Sequence, residues 1–128
     1  MNHASKSILL VEDDEIMRTV TGLLLKAEAR WQVMTADSAA ALKLIKDYSR
    51  KIDLLITDVA MPRMTGPELA HIAKQIRPDI LVIFMSGHSP STVKGYEDSI
   101  VNAGFLQKPF SRKELLSLMR AMLGNARG

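Results

Sequence analysis

Four acids in a row, Glu12, Asp13, Asp14 and Glu15, stand directly after the apolar run at 7–11. Asp58 closes a second such run at 52–57, and Ser86, followed by Gly87, closes a third at 80–85. Lys108, followed by Pro109, comes after a short fourth run at 105–107. Brought together, these residues are carboxylates, one hydroxyl and one ammonium. Crowded carboxylates repel and need a counter-charge at neutral pH. Oxygen donors of this hardness suit Mg²⁺, with Mn²⁺ as the alternative, filled out by waters and phosphate oxygens. Asp58 would be a carboxylate nucleophile that forms an acyl phosphate. Lys108 would place a point charge against the phosphoryl oxygens, and Ser86 would donate a hydroxyl hydrogen bond to one of them. Transfer of this kind rests on positioning and charge stabilisation. Asp14 and Glu15 have a plainer reading, as exposed first-turn residues that favour a helix dipole.

These residues lie far apart in the chain, so the elements between them must do the positioning. The runs at 7–11, 31–36, 52–57, 80–85 and 105–107 have strand length. Between them lie helical periods. One spans 15–29 with Ile16, Val20, Leu23, Leu24 and Ala27; one starts at Asp37 or Ser38 and runs to about Ser49 with Leu42 and Ile45 inward. A third opens at Gly66-Pro67-Glu68 with Leu69, Ile72, Ala73 and Ile76 as its stripe, and ends at Pro78. Ser111 with Glu114 is a capping-box pattern opening a last helix over Leu115, Leu118, Met119 and Met122. A marginal helix is expected from Ser89, weakened by Gly95. Strands alternating with helices predict a parallel sheet covered on both faces, with right-handed crossovers. Ligand sites in such sheets lie at the carboxyl ends of the strands, which is where the acids, Ser86 and Lys108 fall.

The chain has 128 residues, one domain's worth, with 47% hydrophobic and 24% charged residues and no cysteine. That excludes a disulfide framework and a thiolate metal site and suits a cytoplasmic setting. No apolar run approaches the roughly 20 residues of a membrane span, so no membrane insertion is expected. The net charge of +3 is mild, and the basic residues are scattered without interleaved aromatics, which argues against direct nucleic-acid binding. Residues 1–6 are expected to be a disordered tail, 7–124 the domain, and 125–128 a frayed end. His71 reads as a surface residue, Trp31 as packing, and the eight methionines as core filler.

The pieces ILLVEDDE (8–15), LLITDVAMPRMTG (54–66), MSG (85–87) and FLQKPF (105–110) together resemble the receiver domains of two-component response regulators. The resemblance covers about residues 7–124. It implies an α/β fold, a doubly wound five-stranded parallel sheet of order 2-1-3-4-5, flavodoxin-like, with helices on both faces. It further implies Asp58 as phosphoacceptor, Glu12 and Asp13 as the acidic pair, and Mg²⁺ held by Glu12, Asp13, Asp58 and the Ala60 backbone carbonyl. It makes Lys108 the conserved-type lysine, with a cis bond to Pro109, and Ser86 and Phe105 the switch residues. Ala60 and His88 fall where relatives tune the lifetime of the phosphoryl group. The implied donor is the phosphohistidine of a histidine kinase or phosphotransfer domain. The implied output is a changed surface on the fourth helix, fifth strand and last helix, read by a downstream protein or by homodimerisation on phosphorylation. The MSGHS and FLQKPFS stretches look like receivers attached to hybrid sensor kinases, so an excised module and a stand-alone relay both fit.

Rival readings fail on particular residues. A flavin module of the same topology needs a Gly/Ser/Thr phosphate loop after the first strand, and here that loop is acidic. A carboxylate-nucleophile phosphatase resembles Asp-x-Asp, and the second position here is Ala60. A docking module that has lost its chemistry would lack an acid, Asp58 or Lys108, and all are present. The expectation is a signalling phosphoacceptor that promotes only its own phosphorylation and dephosphorylation, not an enzyme on external substrates.

Overall fold

A computed structural model describes residues 5–28, 30–88 and 102–124. In chain order the elements are β1 (Lys6–Val11), α1 (Glu15–Lys26), β2 (Trp31–Ala36), α2 (Ser38–Lys46), β3 (Leu54–Asp58), α3 (Gly66–Ile76), β4 (Leu81–Ser86), β5 (Gly104–Gln107) and α4 (Arg112–Leu123). The five strands form one parallel sheet in the order β2-β1-β3-β4-β5. This is the expected doubly wound arrangement. The helix expected from Ser89, Gly95 within it, and the tails at 1–4 and 125–128 lie outside the described residues. The expected tail at 1–6 runs too far, since Lys6 already pairs with Trp31.

Successive strand residues point to opposite faces, so each central strand feeds two cores. Leu9, Val11, Leu55, Val82 and Phe84 pack with Ala41, Ile45, Leu69, Ala70 and Ala73 of α2 and α3. Ile8, Leu10, Leu54, Ile56, Ile83 and Met85 pack with Leu25, Leu115, Leu116 and Met119 of α1 and α4. Burial on both faces explains why these strands read as unbroken apolar runs rather than as alternations.

Local chemistry sets most helix ends. Asp14, Asp37, Thr65 and Ser111 are the N-caps. Thr65 with Glu68, and Ser111 with Glu114, form full capping boxes. α2 stops at Lys46, short of the expected Ser49, because the Asp47 carboxylate accepts from the backbone N–H and hydroxyl of Ser49 and folds the chain into a turn. α1 ends at Lys26 rather than 29. It also buries a different face from its apolar stripe: Thr21, Gly22 and Leu25 point inward, while Ile16, Val20 and Leu23 are 73%, 48% and 64% exposed. Gly22 decides this, because its missing side chain lets α1 lie against Thr35 of β2, whose methyl would sit 3.1 Å from a Cβ there. The Trp31 indole N–H donates to the Leu25 carbonyl at 2.9 Å and fastens the end of α1 to β2. On α4, Leu116 is buried beside the expected Leu115 and Met119, and Leu118 and Met122 are partly buried against the same cluster.

Candidate functional site

The carboxyl ends of β1, β3 and β4 and the residue after β5 meet at one edge of the sheet. Asp58 is the last residue of β3, paired with Met85, and only 8% exposed. The chain leaves it with the Val59 N–H donating to the Met85 carbonyl at 2.9 Å and the Gly66 N–H donating to the Val59 carbonyl at 2.8 Å. The loop between them thus returns α3 to the site. The Thr57 hydroxyl, buried, donates to the Asp58 carbonyl at 3.0 Å. Lys108 is held by its own backbone, whose N–H donates to the Ser86 carbonyl at 2.7 Å, and its bond to Pro109 is cis.

The Lys108 ammonium donates to Asp58 Oδ1 at 2.6 Å and to Glu12 Oε1 at 2.9 Å. One cation therefore bridges two buried carboxylates. Burial pushes Asp58 up most, and its hydrogen bond with Glu12 adds to this; Lys108 pulls the other way, and the result stands at about 7. Burial alone would raise Glu12 too, but hydrogen bonds from Asp58, Lys108 and the Asp14 backbone N–H outweigh it and hold Glu12 below the usual glutamate range. For Lys108, burial is likewise outweighed by its two carboxylate partners, and its pKa rises. Two carboxylates share one ammonium, and burial together with Glu12 moves the Asp58 titration up to about 7.

Asp13 stands apart from this cluster. Its carboxylate accepts from the Ser38 N–H at 2.8 Å and the Ser38 hydroxyl at 3.3 Å, at the start of α2. Among the described residues no three acidic, His or Cys side chains converge closely enough to hold a metal ion. Asp14 caps α1 through the Met17 N–H, in keeping with its plain reading. The Ser86 hydroxyl is buried and accepts from the His88 N–H at 3.0 Å, while His88 itself is exposed. Ala60, in the loop that follows Asp58, is exposed. Phe105 lies opposite Phe84 and packs, partly buried, on the α2–α3 core.

Two contributors were not legible as site residues. Arg18, one turn into α1, donates from Nη1 to the Glu12 carbonyl at 2.8 Å and pins the acidic turn. Ser38 was visible only as an alternative helix cap. Nothing in the spacing of either points at the site: the Ser38 contact depends on how the end of β1 meets α2 of the next crossover, and the Arg18 contact on how α1 turns off the end of β1.

The family model described as response regulator receiver domain matches residues 8–120. The response regulator receiver protein CpdR of Brucella abortus (strain 2308) is 36% identical over 92% of this chain and 97% of its own length. Sensor kinase CckA of the same strain is 32% identical over 93% of this chain, but this chain spans only 13% of the kinase. Among solved structures, the chemotaxis protein CheY4 of Vibrio cholerae superposes with a TM-score of 0.81 at 25% identity, covering 93% of this chain and 99% of that one. The receiver domain of sensor histidine kinase PA1611 from Pseudomonas aeruginosa PAO1, described with magnesium in its active-site cleft, gives 0.79 at 21% identity over 95% and 100%. The sheet order agrees with the fold of these structures, and the chain belongs to the response regulator receiver domain family, the phosphoacceptor modules of two-component signalling.

Proposed function

We propose that this domain accepts a phosphoryl group on Asp58 from the phosphohistidine of a histidine kinase or phosphotransfer domain. The observation that carries it is the buried Asp58 carboxyl, at a strand end, bridged to Glu12 by Lys108. In the transfer an Asp58 oxygen forms a bond to phosphorus, and the phosphorus–nitrogen bond breaks with its electron pair left on the imidazole. Lys108, already 2.6 Å from the accepting oxygen's carboxylate, takes up charge on the phosphoryl oxygens. Ser86 stands at the adjoining strand end with a hydroxyl to donate to one of those oxygens.

The donor set fits Mg²⁺ or Mn²⁺. It is all oxygen, and burial with Glu12 raises the Asp58 carboxyl to about 7, so a cation beside it would favour its ionised form. Glu12, Asp13, Asp58 and the Ala60 carbonyl would hold the ion, as magnesium occupies the cleft of the PA1611 receiver. When bound, the ion supplies charge that keeps Asp58 ionised and offsets the incoming phosphoryl group.

Phosphorylation draws Ser86 toward the new group and lets Phe105 turn inward. This changes the face made by β5 and α4, which a downstream protein or a second copy reads. Exposed Ala60 leaves water access to the acyl phosphate, and His88 beside Ser86 sets how long the group lasts. The domain is a signalling phosphoacceptor working in the cytoplasm, with no external substrate. None of the helices among the described residues is long and apolar enough to cross a membrane. The match to CpdR along nearly its whole length, and to one segment of CckA, supports a stand-alone relay and a hybrid-kinase module alike.

The test is incubation with acetyl phosphate, with and without Mg²⁺, read by intact mass. A Mg²⁺-dependent gain of one phosphoryl group, lost in Asp58→Asn, is expected. No gain from acetyl phosphate or from any phosphorylated histidine donor would overturn the reading.

A further inference from the structure

Asp13 follows Glu12 directly, yet the two carboxylates serve different parts of the fold. Glu12 faces Lys108 and Asp58. Asp13 reaches across to the start of α2, where Ser38 occupies both of its oxygens, one with its backbone N–H and one with its hydroxyl. Ser38 is buried and is the first residue of the helix. The helix already has its own N-cap, Asp37, which accepts from the Ala40 N–H at 2.9 Å. Asp13 is therefore a second carboxylate on one helix end. It satisfies a leading amide that has no partner inside the helix and sits where the helix dipole favours negative charge.

We propose that Ser38 is a positioning residue that withholds Asp13 from the cation site, so that Mg²⁺ and the start of α2 compete for one carboxylate. The inference rests on the Mg²⁺ reading given above. Glu12 and Asp58 meet at Lys108, while Asp13 is held at Ser38. Binding of the cation turns Asp13 away from Ser38 and leaves the hydroxyl and first amide of α2 without their charged acceptor. By linkage, whatever holds Asp13 on Ser38 lowers cation affinity by the same factor. Metal loading is thereby felt at α2, which follows the edge strand β2, at the opposite side of the sheet from β5. A cation sensed there is sensed apart from the Ser86–Phe105 side.

Two variants separate the donors. Ser38→Ala removes the hydroxyl. Ser38→Pro removes hydroxyl and N–H together, at the helix position that proline favours and after a residue whose extended ψ of 176° suits a following proline. Mg²⁺ affinity is measured by calorimetry, and the Ser38 amide is followed by ¹H–¹⁵N spectra during the titration. A hydrogen bond to a charged group sets the scale, so affinity is expected to rise about tenfold in Ser38→Pro and about threefold in Ser38→Ala. In the wild type the Ser38 amide resonance should move and saturate with Mg²⁺. If Ser38→Pro does not fold, Ser38→Ala and the wild-type amide decide. Mg²⁺ binding to the wild type that leaves the Ser38 amide in place, with affinity equal or weaker in the variants, overturns the proposal and leaves the Mg²⁺ site standing. No Mg²⁺ binding to the wild type overturns both.

Discussion

At Asp58 the cost of burial and the chemistry of the site are one quantity. An ordinary aspartate carboxyl titrates at about pH 4, whereas here burial and Glu12 raise it to about 7. Between those values the folded, metal-free domain holds a proton that the unfolded chain has released. The stability linked to that proton is present below about pH 4 and is lost as pH rises through about 7. Glu12 runs the opposite way: its lowered pKa contributes stability at neutral pH that is lost on acidification. Asp58→Asn keeps the shape and removes the titration. In EDTA, its melting temperature should match the wild type near pH 4 and exceed it by about 5 °C at pH 8. Thermal scans across that range check this, and a difference that does not change with pH would refute it. Adding Mg²⁺ at pH 8 should narrow the gap, because the cation stabilises only the ionised wild type.

At the scale of elements, two contacts keep the helices in register with the site. A Cβ on Gly66 would overlap the Asp58 carbonyl oxygen and lie 2.9 Å from its carbon. The start of α3 can therefore sit on the end of β3 only as glycine. Gly66→Ala should cost about 3 kcal/mol in denaturant unfolding and should slow acetyl phosphate uptake, since relief comes by moving the Asp58 backbone. The second contact is Arg77, which follows α3 and closes the end of α2. Its Nε donates to the Ile45 carbonyl at 3.0 Å and its Nη2 to the Asp47 carbonyl at 2.8 Å. Arg77→Ala should cost about 2 kcal/mol, and Arg77→Lys should recover less than half of that, because an ammonium lacks the planar fork. Neither Arg77 variant should alter Mg²⁺ affinity.

At the scale of the whole molecule, the face that α1 leaves in water adjoins the site. Ile16, Val20 and Leu23 follow the cap Asp14, two residues after Glu12. On the proposed transfer, a protein bringing a phosphohistidine to Asp58 would have this apolar stripe beside it. Apolar anchors at such contacts carry much of the binding energy. Replacing all three with serine should weaken transfer from a cognate phosphorylated histidine protein at least tenfold. The melting temperature should shift by no more than about 3 °C, since exposed positions contribute little to the core. Acetyl phosphate uptake, which needs no docking, should be unchanged, and an equal loss with both donors would count against the docking role.

The amino-acid sequence by itself determined the sheet and the edge at which the candidate site lies. Five strand-length apolar runs separated by helical periods admit few parallel topologies, and Glu12, Asp58, Ser86 and Lys108 each fall just where a strand ends. Capping was legible for the same reason: Ser111 and Glu114 act within one turn. What only the tertiary structure decided are the directions of side chains whose partners lie on other elements. The apolar spacing of α1 pointed to Ile16, Val20 and Leu23, but Gly22 against Thr35 turned that stripe outward. Adjacency in the chain joined Asp13 to Glu12, but a free helix amide at Ser38 lay within its reach and Lys108 lay nearer its neighbour. Hydrogen bonds go to the partner in range, and range is set by how the layers pack rather than by separation along the chain.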